Sequence, residues 1–413
     1  MENINLKTYY MVIKILGDFV NNKIIDKDFF NENIIDVANE ENSQKIYIGR
    51  IYYIAKKHNL VSIMAQAMEK LGFESDSDIW KRWLKEKNQL IYKSVLMDVE
   101  REAIQDFFEK NNIWYMLLKG MVIRKYYPAP ELREMADNDI LFDNKYSKEV
   151  YEFMTARGYK SDDYNKGYHD EYLKPPAYNF EMHRQLVSSK ERPKWYEYYK
   201  DVKSILIKDT NENRETAANS ESNNTSNQFY FSDNDFYVYF IVHTYKHFLN
   251  SGMGLRTVLD VYLYVSNLQE KLDFDYIEEQ LKKLDAYDFE QTFRSIAFKM
   301  FDENLEDRKW WDLFDVKEQE MLSYVLDAGT YGNLENSVAH KMGYTKGEKK
   351  KTSDKAKYIF RRLFPSMDTI EEFFPFFYKH KWAIPFLYIY RIGKIPFTRR
   401  KKVAGELKEV FKK

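Results

Sequence analysis

Residues 117–143 read LLKGMVIRKYYPAPELREMADNDILFD, and the two apolar runs within that stretch decide the kind of fold. The first run completes Ile113-Trp114-Tyr115-Met116-Leu117-Leu118, bounded by Asn111-Asn112 before it and Lys119-Gly120 after it. A short continuous apolar run between turn-forming residues suits a buried strand. Residues 121–127 then read as a short helix, Pro128 and Pro130 mark a loop, and 139–143 read as a second strand. On an extended chain, residues two apart project to the same side, so Asp137 and Asp139 put two carboxylates on one face where this strand starts. Two anions that close repel unless a cation lies between them. Mg²⁺, or Mn²⁺ in its place, suits that position, because Mg²⁺ is hard, prefers oxygen and binds through one or two carboxylates plus substrate phosphates. Asp-x-Asp alone more often caps a helix or sits in a solvated loop. What singles this pair out is its place ahead of a buried strand and after a glycine-terminated one.

Further along, residues 147–157 read as a helix that stops at Gly158. Tyr178–His183 alternates, with Tyr178, Phe180 and Met182 expected inward and Asn179, Glu181 and His183 on the opposite face. A solvent-facing strand would show the same alternation. If the strand lies beside Asp139, Glu181 supplies a third carboxylate, and three carboxylates can hold the two metal ions of a phosphoryl displacement. Strand, helix, strand, helix, strand over residues 112–190 make a small α/β unit, and the whole chain is expected to be α+β.

The remainder reads as mostly helical. Residues 1–110 carry apolar residues at three- and four-residue steps. Residues 211–227 are rich in Asn, Glu, Ser and Thr and predict a mobile surface excursion. Helices are expected over 236–249, 255–268, 276–284 and 289–301, a charged exposed linker over 346–357, and an aromatic, proline-punctuated segment over 360–397. The expected organisation is a helical N-terminal segment (1–110), an α/β core (111–205), a flexible insertion (206–230) and a helical C-terminal domain (231–413). His243 and His247 lie four apart on a helix. Position 244 is Thr where the zinc-protease pattern requires Glu, so a packing and hydrogen-bonding role is expected. Arg256 and Asp260 are expected to pair with each other along their helix.

With 413 residues, 44% hydrophobic and 31% charged, the chain has ample material for a core. The formal net charge of −1 advertises no nucleic-acid partner, although the tail after Arg391 is basic and can touch an anionic surface. The absence of cysteine excludes disulfides, thiolate zinc sites and cysteine nucleophiles. No Walker loop, no dinucleotide Gly-x-Gly-x-x-Gly and no Gly-x-Ser-x-Gly elbow occurs. The opening residues lack a basic start followed by an apolar run, and no stretch reaches about 18 apolar residues, so the expectation is a cytoplasmic protein.

The run from Leu117 to Asp143 resembles the signature of a largely uncharacterised bacterial nucleotidyltransferase family within the DNA polymerase β superfamily. The likeness continues with Glu181-Met182-His183, then His243, His247, Arg256 and Asp260. It is good from about residue 95 to 265 and poor over the first 80. The resemblance implies a small polymerase β-like core that transfers a nucleoside monophosphate from an NTP to an acceptor and releases pyrophosphate. Asp137, Asp139 and Glu181 would be the catalytic metal ligands, with Glu181 a possible base. Lys119, Gly120, Arg133 and His183 would serve the nucleotide, Gly120 admitting the phosphates while Lys119 and Arg133 offset negative charge. Superfamily members usually carry Gly-Ser or Gly-Gly where this chain has Lys119-Gly120. The acceptor, whether small molecule, sugar or macromolecule, is not specified. A catalytically inactive nucleotide-binding scaffold on the same fold is the alternative.

Overall fold

The computed structural model of the chain describes residues 6–394 apart from 24–26, 37–44, 190–191, 211–225, 251, 302–309, 331–337 and 339–350, with 338 and 410–411 in addition. The expected surface excursion therefore lies almost wholly outside the described residues, as does most of the basic tail.

The chain opens with helices α1 (Leu6–Val20) and α2 (Lys27–Asn33) and a two-residue parallel pair, β1 (Ile34–Ile35) and β2 (Ile46–Tyr47). Helices α3 (Ile48–Lys57), α4 (Val61–Lys70) and α5 (Asp78–Lys110) follow. The α5 N-terminus is capped by the Ser77 side chain, which accepts from the Trp80 N–H. At 1.5 Å per residue α5 runs about 50 Å. It carries Trp80 and Trp83 into the main core and Ile104 and Phe108 under the sheet. Asn112, with φ 52°, ends the helical region, as a residue tolerant of left-handed backbone can.

Next come β3 (Tyr115–Leu117), α6 (Gly120–Ile123), β4 (Asn138–Phe142), α7 (Ser147–Ala156), β5 (His169–Lys174), β6 (Tyr178–His183), α8 (Pro193–Tyr199), β7 (Ile207–Lys208) and β8 (Gln228–Tyr230). One mixed six-stranded sheet has the order β5-β6-β4-β3-β8-β7. Its centre holds the three expected strands, with β4 starting one residue earlier than expected. Strands β5, β7 and β8 were not expected. β5 is strongly polar, and β8 is placed by pairing parallel to β3 rather than by an apolar run of its own.

Alternation gives the sheet two different faces. Tyr115, Ile140, Phe142, Phe180 and Met182 pack with Ile104, Phe108, Val150 and Met154 of α5 and α7. Met116 and Leu141 point the other way, into the larger core shared with the helices. Asp139, Glu181 and His183 have the parity of Leu141 and therefore belong to this second face.

That face meets α9 (Asp233–Asn250), α10 (Leu255–Leu268), α11 (Phe274–Lys283), α12 (Tyr287–Phe301) and α13 (Val316–Ala328). The N-terminal helices join the same core. Buried His58 accepts the Leu255 N–H at Nδ1 (3.0 Å) and meets the Tyr9 hydroxyl at Nε2 (3.2 Å), while Tyr9 donates to the Leu326 carbonyl. Burial, followed by the charge of Lys57, lowers His58 to about 3 and keeps it neutral. Four shorter helices close the described chain: α14 (Thr352–Leu363), α15 (Met367–Phe373), α16 (Pro375–Lys379) and α17 (Ile384–Lys394). Residues 352–357, expected as linker, form the first half of α14, where Lys355, Ala356 and Lys357 are good helix formers. No helix among the described residues is long and apolar enough to cross a membrane.

Glu134 joins the loop before β4 to the N-terminal helices by accepting the Ser62 N–H (2.9 Å) at the first turn of α4. Burial pushes its carboxyl up to about 7, against the opposing pull of that backbone donor and of Arg256. A carboxyl raised in the fold stabilises fully below its unfolded value, and that contribution is lost as pH rises through 7. Glu134→Gln keeps an acceptor for Ser62. It is expected to gain on the order of 2 kcal/mol relative to the wild type between pH 5 and pH 8. Urea unfolding at the two pH values checks this, and an unchanged difference between the proteins would refute it.

Candidate functional site

Strands β4 and β6 pair in parallel with Asp139 directly opposite Glu181. Adjacent strands lie about 4.8 Å apart, so the register forces the two carboxylates together. Ligand atoms of Asp139, Glu181 and His183 all fall within 4.8 Å of one another. The His183 Nε2–H faces both acids, 2.9 Å from Asp139 Oδ1 and 3.4 Å from Glu181 Oε2. Lys119 Nζ donates to Asp139 Oδ1 at 2.5 Å and stands 3.9 Å from Glu181 Oε2. Asp137 lies just before β4, outside this tightest group but close enough to feel the charge of Asp139.

The electrostatics divide the acids. Burial works to raise Asp139, but Lys119 and His183 outweigh it and hold the carboxyl well below the usual range. Glu181 is also lowered: burial opposes this, while the His183 hydrogen bond and Lys119 carry it down. Asp137 goes the other way. Burial and then the charge of Asp139 push it up to about 6. Lys119 is held well above its ordinary value, since Asp139 outweighs the burial that would lower it. The protein's own ammonium thus neutralises two carboxylates that could not otherwise be ionised side by side.

The backbone places that ammonium at a cost. The Met121 N–H donates to the Leu118 carbonyl (3.1 Å), closing a turn in which Lys119 has φ 49° and ψ −116°. These are the angles of the second residue of a type II′ turn, where glycine is preferred, and another residue costs about 1–3 kcal/mol there. The glycine sits one residue later. A Cβ on Gly120 would meet Arg133 Nη1 at 2.3 Å and Met135 Sδ at 2.6 Å, so the missing side chain makes room for the loop before β4.

Arg133 is not brought to the carboxylates. It is buried and bidentate to Asp260 on α10 (Nε to Oδ1 2.8 Å, Nη2 to Oδ2 2.7 Å), and Tyr127 donates to the same carboxylate at 2.7 Å. The expected Arg256–Asp260 pair gives way to this arrangement. Arg133 offers Asp260 a planar two-point contact, and Arg256 donates instead to the Glu134 carbonyl (2.6 Å). Asp260 therefore clamps the loop that leads to Asp137 through the Arg133 side chain, and Arg256 clamps it through its backbone.

Sequence reading missed four neighbours. His169 on β5 stacks on His183 (ring centroids 5.0 Å) with Nε2 at 3.8 Å from Glu181 Oε2. Tyr168 has its ring 4.5 Å from His169 and 5.8 Å from His183, and accepts a hydrogen bond from Lys246 Nζ (2.5 Å). Tyr239 lies one turn before His243 on α9, with ring centroids 6.1 Å apart. The Asp170/Tyr172 alternation of buried residues was the one available sign of β5. The Tyr239/His243/Lys246/His247 spacing was the sign of a polar helical face.

Two carboxylates and an imidazole from adjacent strands make a donor set for a divalent ion that accepts oxygen and nitrogen. As a ligand His183 would present the Nε2 lone pair and carry its proton on Nδ1, a buried atom that has no partner in the fold. The residues fit such an ion. Fold and site together define an α+β protein with a mixed sheet and a cation-accepting carboxylate face. The chain matches a family described as uncharacterised nucleotidyltransferases over residues 44–302, and it belongs to that family. Among curated proteins and among solved structures, nothing matches it significantly.

Asp260→Asn would leave the buried Arg133 guanidinium uncompensated. Removing one partner of a buried pair typically costs about 3–5 kcal/mol. Chemical denaturation is expected to show a loss of that order, and a loss below about 1 kcal/mol would contradict the clamp.

Proposed function

We propose that the chain transfers a nucleoside monophosphate from an NTP to an acceptor hydroxyl and releases pyrophosphate, on a core of the DNA polymerase β type. The observation that carries this reading is the parallel β4–β6 register, which sets Asp139 beside Glu181 with Asp137 two residues upstream. Family membership supports the transferase class. In the proposed reaction the acceptor oxygen forms a bond to the α-phosphorus. The bond from that phosphorus to the α,β-bridging oxygen breaks, and its electron pair leaves with pyrophosphate.

Asp137, Asp139 and Glu181, with His183, would hold the divalent cation, Mg²⁺ or Mn²⁺. When bound, the cation supplies neutralisation of phosphate charge and polarisation of the reacting oxygens. Glu181, the most exposed of the Asp139–Glu181–His183 group, takes the acceptor's proton and passes it to solvent. With a cation held at Asp139, the Lys119 ammonium would be available to offset the charge of the phosphates. The Gly120 turn keeps Lys119 at that mouth, and Arg133 acts by fixing the loop under Asp137. The acceptor enters between the α/β core (111–205) and the helical part from 231, since clefts between such layers favour ligands. A cytoplasmic setting, where NTPs are available, belongs to the same reading.

Asp139→Asn and Asp137→Asn are each expected to lower Mg²⁺- or Mn²⁺-dependent NTP turnover at least about a hundredfold. The measurement is pyrophosphate release from labelled NTPs with candidate acceptors, alongside Mn²⁺-dependent nucleotide binding. Turnover or binding that survives both substitutions unchanged would sink the reading.

A further inference from the structure

The face of α9 turned toward the carboxylates is made of hydrogen-bond donors where a core helix would normally present apolar side chains. Tyr239, His243, Lys246 and His247 stand at positions i, i+4, i+7 and i+8, which is one helical stripe. Contacts along the helix and across to the strands place the stripe. Lys246 donates to the Tyr168 hydroxyl at 2.5 Å, with its ammonium 4.7 Å from the Tyr168 ring centre. Tyr168 in turn touches the rings of His169 and His183. His243 and His247 bring their Nε2 atoms to 2.9 Å, and the Tyr239 ring lies beside His243.

Two further observations say what such a stripe accepts. The Tyr239 hydroxyl is buried without a hydrogen-bond partner. It lies within the fields of Lys119, Asp139, Tyr168 and Glu181, so the orphan donor faces the site and not a distant void. An orphaned buried donor is costly unless something fills its place. His243 is neutral because burial, then the charges of Lys119, His247 and Lys246, hold it well below the ordinary imidazole value. On the stripe itself the polar groups are donors and cations, and the carboxylates Asp139 and Glu181 lie across from it. One ammonium, a pair of imidazoles and a hydroxyl without a partner suit a ligand that is acceptor-only, multiply charged and several atoms long.

We propose that Tyr239, His243, Lys246 and His247 form a polyphosphate site that takes the β- and γ-phosphates of the NTP and then the pyrophosphate product. The inference rests on the nucleotidyl-transfer reading above and adds to it the place of the leaving group. It assigns the α9 histidines to phosphate oxygens, a role the zinc-protease comparison does not offer. It also predicts that α9 distinguishes triphosphates from monophosphates, which lack the β- and γ-phosphates that the stripe would hold.

The test uses the full chain and inorganic pyrophosphate as probe, with inorganic phosphate as the short control, by titration calorimetry in the presence of Mn²⁺. The wild type is expected to bind pyrophosphate more tightly than phosphate. Lys246→Met and the pair His243→Gln/His247→Gln should each weaken pyrophosphate about ten- to a hundredfold. Tyr239→Phe, which removes a single oxygen and spares the packing, should weaken it several-fold. Mn²⁺ binding followed by electron paramagnetic resonance should be unchanged in every variant, and thermal melting identifies any that misfold. Pyrophosphate binding that is absent in the wild type, or equal in the wild type and Tyr239→Phe, overturns the proposal. Nucleotidyl transfer with an NTP KM unmoved by Lys246→Met overturns it while leaving the reaction standing. Weakened pyrophosphate binding in a chain that transfers no nucleotide supports the site and counts against the reaction alone.

Discussion

The Lys119–Asp139 ion pair is the interaction on which the rest of the site depends. Strand pairing puts Asp139 beside Glu181 whether or not the charges favour it, because main-chain hydrogen bonds and the apolar residues of alternate parity fix the register. A buried carboxylate next to another is unstable unless a cation is close. Within the described residues that cation is Lys119, reinforced by the His183 N–H. The requirement reaches back into the backbone, where Lys119 occupies turn angles that suit glycine better. A residue held in an unfavourable conformation to deliver one charge is what a site looks like when its geometry is set by something other than stability.

Around that pair the fold works as a set of clamps. Arg133 and Tyr127 converge on Asp260, and Arg256 takes the Glu134 carbonyl, so α10 grips the loop before β4 from below. Arg124, bidentate to Asp98 and bonded to Ser94, ties the turn after α6 to the long helix α5. Glu134 reaches from the same loop to the first turn of α4. Arg133 and Glu134, just ahead of the catalytic candidate Asp137, are therefore fixed through helices that lie far away in sequence. A carboxylate positioned in this way need not reorganise when a cation arrives, which is the physical advantage of a rigid site.

The strands around the acids were legible because they announce themselves twice, by apolar runs and by turn residues at their ends. Phe180 and Met182 on one face and Glu181 and His183 on the other could be read directly from alternation. The Arg133–Asp260 pair was hidden because a sequence shows a positive charge near two acids and not the buried carboxylate 127 residues later that it grips. Gly120 carries a similar lesson: its glycine is required by the Arg133 and Met135 side chains that fill its space, and neither contact is local in kind. His169, Tyr168 and Lys246 were invisible for a third reason. They enter the site only because β5 pairs antiparallel to β6 and α9 reaches Tyr168, and the alternation of β5 is weak because the charged Asp170 takes an inward position.

The polarity of the helical layer follows from the sheet it covers. One face of β4 and β6 is sealed by aromatic and aliphatic residues against α5 and α7, so the charged side chains have a single direction to go. Whatever packs over them must then tolerate carboxylates at close range. Apolar cover would strand their unpaired lone pairs, and acidic cover would repel them. Tyr, His and Lys on one stripe of α9 answer both constraints, which explains why a helix rich in buried Phe, Tyr, Ile and Val over its first three turns turns polar where it passes the site. The donor stripe and the acid cluster are two halves of one electrostatic arrangement. Neither is stable as a buried surface facing hydrocarbon, and each supplies the polarity that the other requires.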